Sequence, residues 1–158
     1  MEVTDIRRQA DVLRSWRNAR IIMQNGQLVA IRKRFWPLPA SIARVWFQTR
    51  FRAGNRDECI LEYRSPRMGG FIILDYIQSG PSTQLATFRG ACQLLDEIAR
   101  LRGAVAILAH VSTDAITDRL LKRWGWEPHA SHMHGRHWIK RFYDGYPSAD
   151  LDRYLRSR

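Results

Sequence analysis

Phe71-Ile72-Ile73-Leu74-Asp75-Tyr76-Ile77 and Val105-Ala106-Ile107-Leu108-Ala109 flank a segment in which Leu85, Phe88, Cys92, Leu95 and Ile98 or Ala99 recur every three to four residues. The first run is apolar on both faces, as a central strand requires. The segment between has the period of a helix, predicted over residues 82–102 and stopped by Gly103. The last run is a short buried strand. A strand, a helix and a strand in succession imply a right-handed crossover, so residues 105–109 are expected parallel to residues 71–77.

Upstream, after Pro37 and Pro39, the period changes to two. Ala43, Val45, Phe47, Thr49 and Phe51 share one strand face, and Ile42, Arg44, Trp46, Gln48 and Arg50 the other. A turn at residues 53–56 leads to a second strand, with Cys59, Leu61 and Tyr63 alternating with Ile60, Glu62 and Arg64. With residues 71–77 these make a predicted three-strand antiparallel meander. Before it stands a predicted helix over residues 4–20, capped by Thr4 or Asp5, with Ile6, Ala10, Leu13 and Trp16 at helical spacing. Asn25-Gly26, set between apolar runs, marks a hairpin over residues 21–31.

Downstream, residues 114–124 read as a helix closed by Gly125, and residues 126–143 as a final hairpin with His134-Gly135 near its turn. Ser148 begins a short helix through Leu151, Tyr154 and Leu155. The sum is an α+β chain: a single mixed, mostly antiparallel sheet with helices on it. One domain over residues 1–158 is expected, with its core at about 41–143. The N-terminal helix and hairpin occupy 4–34 and the short C-terminal helix 148–156.

The chain of 158 residues carries 26 Lys plus Arg against 15 Asp plus Glu, a net charge of +11. Hydrophobic residues make up 45%, which argues against disorder. There is no run of about 18 apolar residues, so a membrane-spanning helix is excluded. The start lacks an apolar signal core, and the expected compartment is the cytoplasm. Cys59 and Cys92 make no disulfide framework and no paired-cysteine motif. The basic excess is nearly all arginine, whose planar fork suits phosphate.

The order of elements from about residue 41 to 143 resembles the core of the GNAT acyltransferases. The nearest local match is Asp114-Ala115-Ile116-Thr117-Asp118-Arg119-Leu120-Leu121-Lys122-Arg123-Trp124-Gly125-Trp126-Glu127-Pro128. It is similar to the family's late helix, N-x-x-A-x-x-L-Y-x-K-x-G-F-x-P. Gly125 supplies a left-handed cap, after which Trp126 points at the core. The resemblance implies acyl transfer from acetyl-CoA or another acyl-CoA to an amine acceptor. It also implies a pyrophosphate seat at the start of the central helix, formed by Ile77, Gln78, Ser79, Gly80, Ser82 and Thr83, with Arg89 reaching back. Two departures stand out. The family's Q/R-x-x-G-x-G/A positions hold Ala86, Arg89 and Ala91, with Gly90 one place off. Leu121 stands where many members have a tyrosine that protonates the departing thiolate. Tyr76 and Asp114 are implied substrate contacts, although Asp114 is also an ordinary helix cap.

His110, at the end of the strand after the helix, is the first candidate for a base, because its ordinary pKa is near neutral. Asp75 is the second: a carboxylate in an apolar strand must be paired or shifted, and Arg44 or Arg64 is a candidate partner. His129, His132, His134 and His137 crowd nine residues, and a two-residue turn would set His132 opposite His137. The set lacks a thiolate and a consistent carboxylate, so no metal is expected. The alternative to an enzyme is a non-catalytic basic domain binding nucleic acid or another polyanion. Its surface would be Arg32, Lys33 and Arg34 beside Phe35 and Trp36, together with Arg44, Arg50 and Arg52. The oligomeric state leaves no mark in the sequence.

Overall fold

The parallel pair lies inside the sheet. In the computed structural model, which describes residues 1–35, 56–111, 116–148 and 150–155, β5 (Phe71–Ser79) runs parallel to β6 (Ala106–Val111) with Phe71 opposite Ala106 and Leu74 opposite Ala109. Between them α2 (Leu85–Arg102) crosses one face, burying Phe88, Ala91, Leu94, Leu95, Ile98 and Ala99. Gly103 ends it in the left-handed conformation, at φ 64°. The predicted strand–helix–strand unit is therefore present. The helix begins three residues later than expected, because Gly80 to Thr83 close a turn through a Thr83 N–H to Gly80 C=O bond of 3.0 Å.

Around this pair the described residues form a mixed sheet of eight strands. The others are β1 (Glu2–Val3), β2 (Asn18–Gln24), β3 (Gln27–Lys33), β4 (Glu58–Arg64), β7 (Glu127–Pro128) and β8 (Arg136–Arg141), in the order β1-β3-β2-β4-β5-β6-β8-β7. All neighbours but β5 and β6 pair antiparallel. The architecture is α+β, with α1 (Ala10–Ser15), α2 and α3 (Asp118–Arg123) as its helices and a 3-10 turn at Leu151–Tyr154. Among the described residues no helix is long and apolar enough to cross a membrane.

Several expectations are corrected. The N-terminal helix is not one element over 4–20. Glu2 and Val3 pair with β3, Asp5 folds back to accept the N–H groups of Arg7 and Arg8, and only Ala10–Ser15 is helical. Arg102 ends this helix by donating to the carbonyls of Arg14 and Trp16, at 2.7 and 2.5 Å. The Asn25-Gly26 hairpin forms as expected, with φ of 50° and 73° at the turn. Its strand β2 also pairs with β4, a long-range contact that periodicity does not encode. The strand expected over 42–51, with Arg44, Arg50 and Arg52, lies outside the described residues, as does Asp114. The late helix starts at Asp118, with Thr117 accepting the Leu120 N–H. Trp126 is buried, as expected.

Gly90 has a structural task. A Cβ there would stand 2.7 Å from Met23 Cε and 2.8 Å from Tyr154 Cε1. The glycine lets α2 settle onto β2 and the C-terminal turn. Gly90→Ala is expected to destabilise the fold by about 1–3 kcal/mol through overpacking, read as a lower midpoint in urea with an unchanged slope.

Candidate functional site

The parallel ladder between β5 and β6 stops at Leu74 and Ala109, although β5 continues to Ser79 and β6 to Val111. Beyond that point the backbone groups of β5 that faced β6 lose their ladder partners. The register between β4 and β5 shifts there too: Glu62 faces Tyr76 and Tyr63 faces Leu74, which leaves Asp75 as the extra residue of a bulge. A bulge adds twist and re-aims side chains. The outcome is an open cleft of about 680 Å³ between the two strands, floored by Ile73, Leu74, Leu108 and Ala109. Arg64, Asp75, Tyr76, His110, His129, Met133, His137 and Trp138 stand around it.

His110 and Asp75, the two candidate bases, share this cleft. Their environments differ. Asp75 accepts from Arg64 Nε at 2.8 Å, so Arg64 is the partner that the apolar strand demanded. His110 faces His137 across the β6–β8 ladder, with the rings stacked at 4.6 Å and 14°. Partial withdrawal from water, and then the charges of His137 and His134, hold the His110 imidazole below the usual histidine pKa. A neutral imidazole with a lowered pKa is a ready proton acceptor at neutral pH. Gly135 makes room for it: a Cβ there would sit 2.5 Å from His110 Nε2, and the residue has φ 99°.

The histidine hairpin differs from expectation. His129 N–H donates to the His137 carbonyl at 2.8 Å, so His129, not His132, is the backbone neighbour of His137. The loop between them is longer than a two-residue turn: Ala130 takes a positive φ of 49° and its carbonyl accepts the Met133 N–H at 2.9 Å. His137 Nε2 contacts the His134 carbonyl at 2.9 Å. The sequence presents His137 as a metal ligand or as one of the solvent-facing hairpin histidines, some of them touching phosphate or substrate, and not as the neighbour of His110. Its place beside His110 depends on the β6–β8 register, which no local pattern specifies.

The expected pyrophosphate seat has an occupant of the chain's own. Asp57 accepts the Gln84 N–H at 2.8 Å through Oδ1 and the Thr87 hydroxyl at 2.7 Å through Oδ2. This carboxylate lies at the N-terminus of α2, where the macrodipole favours an anion. Thr83, expected on the phosphate, turns its hydroxyl to the Glu58 carbonyl at 2.6 Å and accepts from the Gly80 N–H. Ile77 and Gln78 lie on β5, with Ser79 exposed at its end; the Gln78 Oε1 is buried and has no hydrogen-bond partner among the described residues. Ser82 is half-buried in the turn, and Arg89 is exposed on the first turns of α2.

The arginine surface of the alternative reading is divided. Arg34 is only 11% exposed and binds the buried Glu62 at 2.9 Å, where Arg20 also pairs. That commits Arg34 to the fold. Arg32 pairs with Glu2 on the surface, and Lys33 lies over Phe35 at 5.5 Å.

No family model matches the chain, and no curated protein matches it. Among solved structures it is similar to a crystal structure of nourseothricin acetyltransferase, at 12% identity and a TM-score of 0.46, over 89% of this chain and 97% of that one.

Proposed function

We propose that the cleft between β5 and β6 carries out acyl transfer from an acyl-CoA to an amine. The observation that carries this reading is the early end of the β5–β6 ladder, which leaves an open cleft with His110 on its wall. The amine nitrogen attacks the thioester carbonyl carbon, forming the C–N bond, and the C–S bond then breaks. His110 takes the proton that the amine loses. Backbone N–H groups of β5 beyond Leu74 are the donors for the developing oxyanion. The thiolate leaves and takes its proton from water, because Leu121 has none to give and is buried.

Asp57 supports a second reading, a non-catalytic basic domain, because it holds donors that a pyrophosphate would use. The two readings diverge in calorimetry with coenzyme A. Acyl transfer requires saturable binding, and the Asp57 carboxylate should keep it weak. Asp57→Asn retains an acceptor for the Gln84 N–H and removes the repelling charge. It is expected to tighten coenzyme A binding by roughly tenfold, the worth of a charge-assisted contact. Absence of binding in both proteins at millimolar ligand would sink the enzyme reading. Salt-sensitive binding of a labelled single strand would then favour the basic domain.

A further inference from the structure

A second concavity of about 480 Å³ adjoins the cleft, lined by Arg17, Asn18, Arg64, Ser65, Pro66 and Arg67. Arg64 belongs to both. The two are joined through the sheet: Arg64 of β4 faces Ile73 of β5, Ile73 faces Leu108 of β6, and His110 follows two residues later. Three arginines thus line a hollow two strands away from the candidate base.

Among the described residues, the charge there is compensated only at Arg64. Arg64 uses Nε on Asp75, which leaves its terminal N–H donors. Arg17 and Arg67 are exposed, and neither pairs with a carboxylate among the described residues. Burial lowers the Arg102 pKa, Tyr63 opposes that, and the charge of Arg17 adds to the lowering. Some exposed arginines elsewhere do have acidic partners: Arg7 has Asp152, Arg14 has Asp11, and Arg100 has Glu97.

We propose that this hollow is an oxyanion seat for the acceptor, which is a small amine carrying a phosphomonoester. Several planar forks around one point match the oxygens of a phosphate dianion, which offsets more of the charge than a carboxylate does. The Ser65 hydroxyl donates to the Phe71 carbonyl at 3.4 Å, so the donors of the seat are the arginines. The arginines line one hollow that shares Arg64 with the cleft, whereas a polymer backbone calls for a track of spaced contacts. The acceptor role rests on the acyl-transfer reading; the anion seat itself stands on the arginines.

The test is calorimetry at low ionic strength with inorganic phosphate, O-phosphoethanolamine and ethanolamine. Saturable binding is expected for both phosphates and not for ethanolamine. The doubly substituted Arg17→Ser, Arg67→Ser protein should bind the phosphates roughly tenfold or more weakly, while Arg7→Ser should bind them as the parent does. All of these positions are exposed, so folding is retained, and a melting curve verifies it. No saturable phosphate binding, or an equal loss in Arg7→Ser, overturns the seat. Coenzyme A is titrated in parallel and should bind the double variant unchanged. A matching loss would give the arginines to the carrier and overturn the acceptor role. Failure of coenzyme A to bind any of the proteins, with phosphate binding intact, would overturn the acceptor role while locating the fault in the acyl-transfer reading. A single-stranded oligonucleotide that binds the same arginines more tightly than O-phosphoethanolamine would replace the small acceptor with a polymer.

Discussion

Replacing His110 with alanine is expected to lower acyl transfer by about two to four orders of magnitude, the usual worth of a positioned general base, while leaving coenzyme A affinity close to that of the parent. The imidazole lines the cleft, and its contact among the described residues is the stacking on His137. The pH profile supplies the second readout. Burial and the charges of His137 and His134 lower the His110 pKa, so the imidazole is neutral through pH 7 and turnover should fall only as the pH drops below the usual histidine range. His137→Ala removes one of those charges. Its acid limb should therefore move to higher pH, with a smaller loss at pH 8 than in His110→Ala. An acid limb that stays in place would mean that another group is the base. Asp75 is the alternative, and its engagement with Arg64 at 2.8 Å gives it the weaker case. Turnover measured at saturating acyl-CoA for the three proteins between pH 5 and 9 decides the matter.

The parallel pair, the helix over it and the Asn25-Gly26 hairpin were legible because each depends on a local period or a turn chemistry. Residues 71–77 are apolar on both faces, and only a central position in a sheet rewards that. The candidate bases His110 and Asp75 were legible for a different reason: a titratable group at the end of, or within, an apolar strand has to be explained by a partner or by a task. Three features of the site were not legible. The bulge at Asp75 arises from the mismatch between β4 and β5 and has no glycine or proline to announce it. The stacking of His137 on His110 requires the register of two strands that are separated by α3 and the histidine loop. Asp57 reaches the N-terminus of α2 from just before β4, across 27 residues of chain to Gln84. The arginine hollow likewise joins Arg17 to Arg67 only because β2 pairs with β4. Each of these depends on which strands become neighbours, and that choice is made by the whole core.

Lys140→Met should be the most damaging single change to stability, at about 3–5 kcal/mol. Lys140 on β8 donates to Asp96 on α2 at 2.6 Å, and both side chains are less than a tenth exposed. Removing the ammonium leaves the Asp96 carboxyl between apolar surfaces without its cation. Burial already raises the pKa of Asp96, and Lys140 opposes that rise through its charge and its hydrogen bond. In Lys140→Met the opposition is gone, so the carboxyl binds its proton in the fold far more readily than in the unfolded chain. Unfolding then releases a proton, and stability must fall as the pH rises from 5 to 8. The slope should be steeper than in the parent, whose ammonium keeps Asp96 nearer its ordinary range. Cys92 offers no compensating charge: a thiol ionises only to an anion, and burial first and then the Asp96 charge push its pKa up to about 12. Replacing both partners, as Asp96→Leu with Lys140→Met, should recover most of the loss and abolish the slope. Urea titrations at pH 5 and pH 8 for the parent, the single variant and the double variant test this. Equal losses at the two pH values would show that packing, and not the lone carboxylate, sets the cost. Since β8 also carries His137, the single variant should keep His110 in place and remain active until it begins to melt; lost activity well below that temperature would tie the ion pair to the register of β6 and β8.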